Sequence, residues 1–417
     1  MTADADLLST PAAGAAVVRG GALRVVGFLV ASVLSVLSAA LLFRHLGVLD
    51  TARYVSILSL VAIVGGVSDL GITQLGIREL ALIAPAERGP LAREILGLRV
   101  LLSVAGLALM LVFAVVSYPP VVAAGVAIAG VGLLLQATQD NYSSMLQVEL
   151  RFGWVAALDV LRQVASALFI VVLVVVGAGL LAFASVPVWA GIVVVVPAGL
   201  LVRGGRSLLP SFGTERARRL LRMVLPYSAA IIASTLYFRE AIVLLHLLSG
   251  DYQLGLFSAS FRVVEGLIAI PGLLIGTALP VFARAAMEDQ ARFDYAVGRV
   301  FAASVVIGTG LAVGLAVGAP FAIDVIGGQA FRAASGVLVI SAVALGAAFV
   351  GSLWGNVLLS QRRYRELVVL NAGAVLLLGG LLAVLIPLDG ARGAAVATAA
   401  AELTVAVAGG VLACRRA

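Results

Sequence analysis

The chain has 417 residues, of which 62% are hydrophobic and only 12% charged, and its mean hydropathy is +1.15. Because soluble domains carry about 25% charged residues, this composition excludes an ordinary soluble enzyme or nucleic-acid-binding domain and indicates a polytopic membrane protein. The net charge of +7 is therefore interpreted as a topology signal, and no nucleic acid is expected as a partner.

The chain opens with a weakly polar tail, residues 1–20, that lacks the basic start of a secretory signal, so the first apolar helix is expected to stay as an anchor. Apolar runs of about 20 residues, enough to cross a bilayer, then recur about twelve times. They predict helices at 22–42, 54–75, 95–116, 121–146, 154–176, 180–201, 223–248, 256–282, 300–321, 336–359, 367–388 and 394–413.

Arginines set the predicted orientation of these helices. They are concentrated in alternate connections and in both termini, whereas the opposite loops hold only Arg44, Arg53, Arg332 and Arg392. The positive-inside rule then places both termini in the cytoplasm. The longest basic connection, 203–222, lies at the midpoint and separates a predicted N-terminal six-helix lobe, 21–202, from a C-terminal lobe, 223–417, that ends in a short cytoplasmic tail.

The two halves also resemble each other. "LGVLDTARYVS" after the first helix aligns with "SGDYQLGLFSAS" after the seventh, pairing Gly47 with Gly250 and Ala52 with Gly255. Parallel repeats of this kind place two lobes around an axis along the membrane normal, with a substrate cavity between them. The predicted fold is therefore all-α, with about twelve transmembrane helices in two six-helix lobes around a central cavity.

Three stretches carry a resemblance to a known family: the segment around "LGVLDTARY", the run "STLYFREAIVLLHLLSGDYQLGLFSAS", and "GARGAAVATAAAEL". They resemble the multidrug/oligosaccharidyl-lipid/polysaccharide exporter superfamily, and specifically its polysaccharide, or O-antigen, flippase branch. The chain departs from the family pattern at Ala52, where a turn glycine is usual, and at Glu240, which stands beside an alanine where the family often has Ile-Asp.

The resemblance implies a carrier that moves a polyprenyl-pyrophosphate-linked oligosaccharide from the inner to the outer leaflet of a bacterial or archaeal cytoplasmic membrane. This step of cell-surface polysaccharide biosynthesis would proceed by alternating access. The implied partners are the lipid-linked substrate, membrane lipids, and the polysaccharide polymerase and glycosyltransferases of the same pathway. Neither a cofactor nor an enzymatic activity is implied.

Four charges interrupt the seventh and eighth predicted helices: Arg239, Glu240, Arg262 and Glu265. A charge at the bilayer centre costs roughly 2.5–3.5 kcal/mol, so such residues usually pair or face a wet cavity. Glu240 and Arg262 lie level, each about 16 Å from the outer turn, which predicts an ion pair that Glu265 could share. Arg239 then has no obvious partner and is a candidate for a substrate anion, with Arg262 as a second; the alternative is a purely structural cluster.

Other charges form further candidates. Asp69, Arg99, Asp140, Asp159 and Arg162 all lie within about 15 Å of the predicted cytoplasmic face, where they could form a gate or entrance, or else a solvated network at the helix ends. Arg24 could contact a pyrophosphate at the inner leaflet or serve as a topology anchor. Glu402 is a candidate for ion coupling, with helix packing as the alternative.

Two other function classes compete with the flippase. An ion-coupled multidrug antiporter of the same superfamily would be expected to present unpaired acids to a cationic drug, whereas this chain offers several arginines. A membrane glycosyltransferase, polymerase or ligase would need a sizeable outer loop, and the predicted outer loops are short. No nucleophile or phosphate-loop motif is recognisable, the lone Cys414 excludes a cysteine-based metal site, and His45 and His246 are isolated. No catalytic residue or metal is therefore expected.

Overall fold

A computed structural model describes residues 12–202, 209–276, 282 and 290–414, and every element in these residues is helical. Residues 1–11 of the predicted tail, 203–208 of the predicted linker and most of 277–289 lie outside this description. The helices are α1 (Ala12–Asp69), α2 (Ile72–Leu82), α3 (Pro85–Ser117), α4 (Pro120–Val148), α5 (Phe152–Val176), α6 (Leu180–Ala184), α7 (Val186–Leu201), α8 (Thr214–Ser249), α9 (Asp251–Gly276), α10 (Gln290–Val317), α11 (Ala319–Gly327), α12 (Ala334–Ser360) and α13 (Tyr364–Cys414).

The described residues contain 10 helical segments that are long and apolar enough to cross a membrane. The segment Val30–Leu82 has 53 residues and Tyr364–Cys414 has 51. At about 1.5 Å per residue either would far exceed a bilayer core about 30 Å thick, and both are broken, at Gly47 and at Asp389–Gly390. Each therefore divides into two lengths that could span, which accommodates the predicted helix number and confirms an all-α, multi-pass membrane fold.

The two glycines that align in the sequence echo have the same kind of backbone. Gly47 has φ 70° and Gly250 has φ 84°, a left-handed region that residues with a Cβ rarely adopt. Both glycines follow a long apolar helix and precede a second one. The echo in the sequence thus corresponds to a turn of the same hand in each half of the chain.

The chain divides into two compact units. Unit 1 comprises residues 1–45 and 57–232, and unit 2 comprises 46–56 and 233–417. In unit 1, α4 packs against α3 and α7, and in unit 2, α12 packs against α9, α10 and α13. Half of the apolar window of α4 is buried, against 11% for α3 and for α5, so α4 is central and the other two present apolar faces outward.

The fourth predicted helix has a polar second half that weakens its apolar pattern. The structure shows why this half is still helical: Gln139, Asn141, Ser143 and Ser144 are buried within unit 1. Their polar atoms therefore face protein and not lipid. A further difference concerns the predicted linker, because α8 begins at Thr214 and the last residues of 203–222 are helical.

A short segment of the first half belongs to unit 2. Residues 46–56 pack so closely on α9 that a Cβ on Gly255 would lie 2.4 Å from the carbonyl oxygen of Val48. Arg53 Nε also contacts Asp251 Oδ2 at 3.2 Å, and Asp251 Oδ1 lies 2.7 Å from His246 Nδ1. The sequence did not predict this assignment, since nothing in a local pattern couples residues about 200 positions apart.

Candidate functional site

The charges of α8 and α9 meet at one carboxylate. Arg239 Nη2 donates to Glu265 Oε1 at 3.0 Å, and Arg262 Nη1 donates to Glu265 Oε2 at 2.8 Å. Arg262 and Glu265 are three residues apart on α9, the spacing at which helical side chains are neighbours. We call Arg239, Arg262 and Glu265 the Glu265 cluster.

The predicted pairing within this group was wrong in part. Arg239, which was predicted to lack a partner, binds Glu265. Arg262 also binds Glu265, as the sequence allowed, and the ion pairs of the described residues do not include one between Arg262 and Glu240. The reason is rotation about the helix axis: adjacent residues of α8 point about 100° apart, so Arg239 and Glu240 cannot both face the same partner.

Glu240 instead faces α13. Its Oε2 lies 3.4 Å from the position that a Cβ on Gly379 would occupy. Its Oε1 is buried and has no hydrogen-bond partner among the described residues. Being level with Arg262 along the helix axis was therefore insufficient to form a pair.

The Glu265 cluster carries an excess of positive charge. Two guanidinium groups share one carboxylate, and the three side chains remain 25–29% exposed. An arginine stays ionised in proteins and offers a planar set of N–H donors that matches the oxygens of a phosphate or carboxylate. The cluster can therefore bind an anion in exchange for Glu265.

Glu402 lies elsewhere in unit 2, in a cavity of about 420 Å³. Tyr237 Oη donates a hydrogen bond of 2.9 Å to Glu402 Oε1. Ser352, Asn356 and Asn371 also line this space, which we call the Glu402 cavity. A carboxylate with a phenol donor and amide neighbours could hold a proton or a small cation.

In unit 1 the predicted candidates converge on Arg99. Arg99 Nη2 lies 3.2 Å from Asp69 Oδ1 and 3.3 Å from Asp140 Oδ2, and Arg99 is only 6% exposed. Asp69 ends α1, where it also accepts hydrogen bonds from the hydroxyl of Thr73 and from the backbone N–H of Gly71. Arg99 is the buried member of this network, whereas the side chains of Asp69 and Asp140 are 23% and 34% exposed.

The structure places the remaining candidates as follows. Asp159 on α5 lines the same cavity as Asp69, Arg99 and Asp140, and Gln139 Nε2 lies 3.5 Å from Asp159 Oδ1. Arg162, three residues further along α5, is near enough to interact electrostatically with Asp140. Arg24 lies in α1, but its side chain is outside the described part of the structure.

Two features were missed at the level of sequence. The buried polar residues Gln139 and Ser143 belong to the unit 1 site, and their signal was the polar run "QATQDNYSSMLQ" inside a predicted helix. The contacts of Arg53 with Asp50 and Asp251 were also missed. Within the described residues, no three histidine, cysteine, aspartate or glutamate side chains are grouped so that they could hold a metal ion.

Comparison with known proteins identifies the family of this chain. The family profile described as "Polysaccharide biosynthesis protein" matches residues 95–336, more than half of the chain. The chain belongs to this polysaccharide biosynthesis protein family. No curated protein sequence matches it significantly.

Solved structures of the MOP superfamily share the fold of this family member. The lipid II flippase MurJ in an inward closed conformation has a TM-score of 0.76 at 12% identity, covering 93% of this chain and 86% of that chain. A MATE multidrug transporter in its inward-facing conformation has a TM-score of 0.69 at 15% identity, covering 92% and 93%. Its outward-facing conformation gives 0.65 at 14% identity, with 94% of both chains covered. These similarities confirm the predicted fold, and the family match confirms the predicted relation to polysaccharide biosynthesis proteins.

Proposed function

We propose that this protein is a flippase that moves a polyprenyl-pyrophosphate-linked oligosaccharide from the inner to the outer leaflet of the cytoplasmic membrane. The family match to polysaccharide biosynthesis proteins and the fold shared with a lipid II flippase support this proposal. In it, both termini lie in the cytoplasm, and the polymerase and glycosyltransferases of the pathway act before and after the flippase.

The observation that carries the proposal is the Glu265 cluster. A lipid-linked pyrophosphate must take its anionic group through an apolar layer, where charges are costly unless they are paired. Arg239 and Arg262 provide two permanent positive charges within apolar helices, and both bind the single carboxylate of Glu265. Charge-assisted hydrogen bonds from guanidinium to phosphate are about twice as strong as neutral ones, so this cluster suits the pyrophosphate.

The other predicted residues take roles within this proposal. Arg24 would contact the pyrophosphate at the inner leaflet, and the network of Asp69, Arg99, Asp159 and Arg162 would contribute to a cytoplasmic gate. Buried ion pairs suit a gate because separating the two charges is costly. The gate would therefore favour a fully closed or a fully open state over intermediate ones.

The test is leaflet sidedness of a fluorescently labelled polyprenyl-pyrophosphate disaccharide in proteoliposomes. The wild type should move the lipid, and Arg239→Met should lower the rate at least tenfold, because the anion loses one of its two guanidinium partners. Arg392→Met, which removes an exposed arginine of the same unit, is the matched control and should leave the rate unchanged.

A second function rests on the Glu402 cavity. MATE multidrug transporters share the fold, and a carboxylate that lines a cavity could take part in ion-coupled export of cationic drugs. The same proteoliposomes distinguish the two functions. Efflux of a cationic dye that Glu402→Gln abolishes, with no movement of the labelled lipid, would contradict the flippase and support the antiporter.

A further inference from the structure

A polar cavity of about 470 Å³ lies inside unit 1, between the end of α1 and helices α2 to α5. Its size falls within the range of about 300–1,000 Å³ typical of small-molecule sites. Most of its polar lining consists of side chains that end in oxygen or carboxamide groups. They are Asp69, Thr73, Gln74, Gln136, Asp140, Ser143, Gln147 and Asp159.

The charge of this cavity excludes the pyrophosphate as its occupant. Three carboxylates line it, and Arg99 is the only basic residue among the lining residues. Arg99 directs its Nη atoms at Asp69 and Asp140, so those donors are already used. A phosphate would be repelled by the carboxylates of Asp69 and Asp140, which share a single guanidinium group, whereas a neutral or amine-bearing polar group would not.

Ser143 indicates that the cavity has a ligand to bind. It is 7% exposed, lines the cavity, and its hydroxyl has no hydrogen-bond partner among the described residues. In contrast, the hydroxyl of the adjacent Ser144 donates a hydrogen bond of 2.8 Å to the carbonyl oxygen of Asp140, one turn earlier in the helix. Buried polar atoms are rarely left unpaired, and a change of the Ser143 rotamer would turn this hydroxyl towards an occupant of the cavity.

The chemistry of the lining fits a sugar better than a cation. A hard cation needs several oxygens within about 2.0–2.6 Å of a single point. Here Asp69 and Asp140 are turned towards Arg99, and the cavity is far larger than an ion. Sugar hydroxyls both donate and accept hydrogen bonds, which matches carboxylate acceptors beside carboxamides that do both.

We propose that the unit 1 cavity binds a sugar residue of the translocated lipid, with Ser143, Gln136 and the cavity carboxylates as its hydrogen-bond partners. This inference rests on the proposed flippase function. It assigns recognition of a sugar residue to the unit 1 cavity.

The test compares the binding of two lipids to the purified protein by native mass spectrometry. One is undecaprenyl pyrophosphate carrying an N-acetylhexosamine disaccharide, and the other is undecaprenyl pyrophosphate without sugar. The wild type should prefer the sugar-bearing lipid. Ser143→Ala should reduce that preference by about three- to tenfold, the worth of one hydrogen bond, and Ser143→Leu should abolish it by filling the cavity.

The matched control is Ser59→Ala. Ser59 is also a buried unit 1 serine whose hydroxyl has no partner among the described residues, but it does not line the cavity, so this variant should keep the preference. Because Ser143 bonds to no described side chain, Ser143→Ala should fold as well as the wild type, which separates a ligand role from a structural one.

Each outcome decides between the proposals. If the Ser143 variants lose preference for the sugar-bearing lipid but keep the sugar-free lipid, the site is supported even where leaflet translocation fails. Equal loss for both lipids, or no loss, overturns the sugar site while leaving the flippase standing. A wild type without any preference overturns it too, as does cavity binding of sodium that Ser143→Leu removes.

Discussion

Each of the two units contains a cluster of charges within its apolar helices, and the two clusters are built in opposite ways. In unit 1 a single arginine, Arg99, lies between two aspartates and is only 6% exposed. In unit 2 a single glutamate, Glu265, lies between two arginines, and all three side chains are 25–29% exposed. The first centre has two carboxylates around one buried guanidinium group, although Asp69 and Asp140 themselves are 23% and 34% exposed, whereas the second has two partly exposed guanidinium groups around one carboxylate.

This contrast shows that counting the charges in a helix does not reveal what those charged residues do. Both centres satisfy the same physical requirement, since a charge within an apolar layer needs a partner. What differs is which sign of charge predominates and whether the guanidinium groups themselves are exposed. The unit 1 arginine is therefore assigned to holding the structure, and the unit 2 arginines are assigned to a substrate anion.

The largest expected effect is on the free energy of unfolding, and it tests whether Arg99 has a structural role that Arg239 lacks. Arg99→Met should lower the free energy of unfolding by about 1–3 kcal/mol, because Asp69 and Asp140, which are 23% and 34% exposed, lose the buried cation that they share. Arg239→Met should cost less than about 1 kcal/mol, since the partly exposed Glu265 keeps Arg262. Chemical denaturation in detergent micelles measures both. Asp140→Asn added to Arg99→Met should recover part of the loss, and equal costs for the two arginines would refute the assignment.

A smaller effect concerns anion affinity. Glu265 competes with a bound anion for Arg239 and Arg262, so Glu265→Gln should tighten the binding of inorganic pyrophosphate by about tenfold at low salt, the worth of one charge-assisted hydrogen bond. Titration calorimetry measures the affinity. The control is Glu366→Gln, because Glu366 pairs with Arg363 in unit 2 at the same helical spacing. Unchanged affinity in Glu265→Gln would mean that the cluster is structural.

The smallest effect tests the corrected pairing. Glu240→Gln should change the free energy of unfolding by no more than about 0.5 kcal/mol or stabilise the fold slightly, because the buried Glu240 Oε1 makes no hydrogen bond within the described residues. Thermal unfolding in micelles measures this change. A loss of more than about 2 kcal/mol would show that Glu240 does hold an arginine, as its level along α8 first suggested.

Much of the fold was predictable because it depends on local pattern. Apolar runs of bilayer length predicted most helices, and the aligned Gly47 and Gly250 predicted a repeat, which the structure shows as two turns with positive φ. The grouping of Asp69, Arg99 and Asp140 was also predictable in outline, since all three lie at a similar depth. The partners of Arg239 and Glu240 were not, because depth fixes position along a helix axis and leaves rotation about it open.

Composition and periodicity by themselves determined that this chain is a multi-pass helical membrane protein, because a lipid environment admits only helices or closed barrels and the apolar runs have the length of helices. Only the tertiary structure decided which charges meet. It brought residues 46–56 into unit 2, turned Glu240 towards Gly379 and enclosed Ser143 in a polar cavity. Those outcomes depend on packing between helices distant in sequence, which no local pattern encodes.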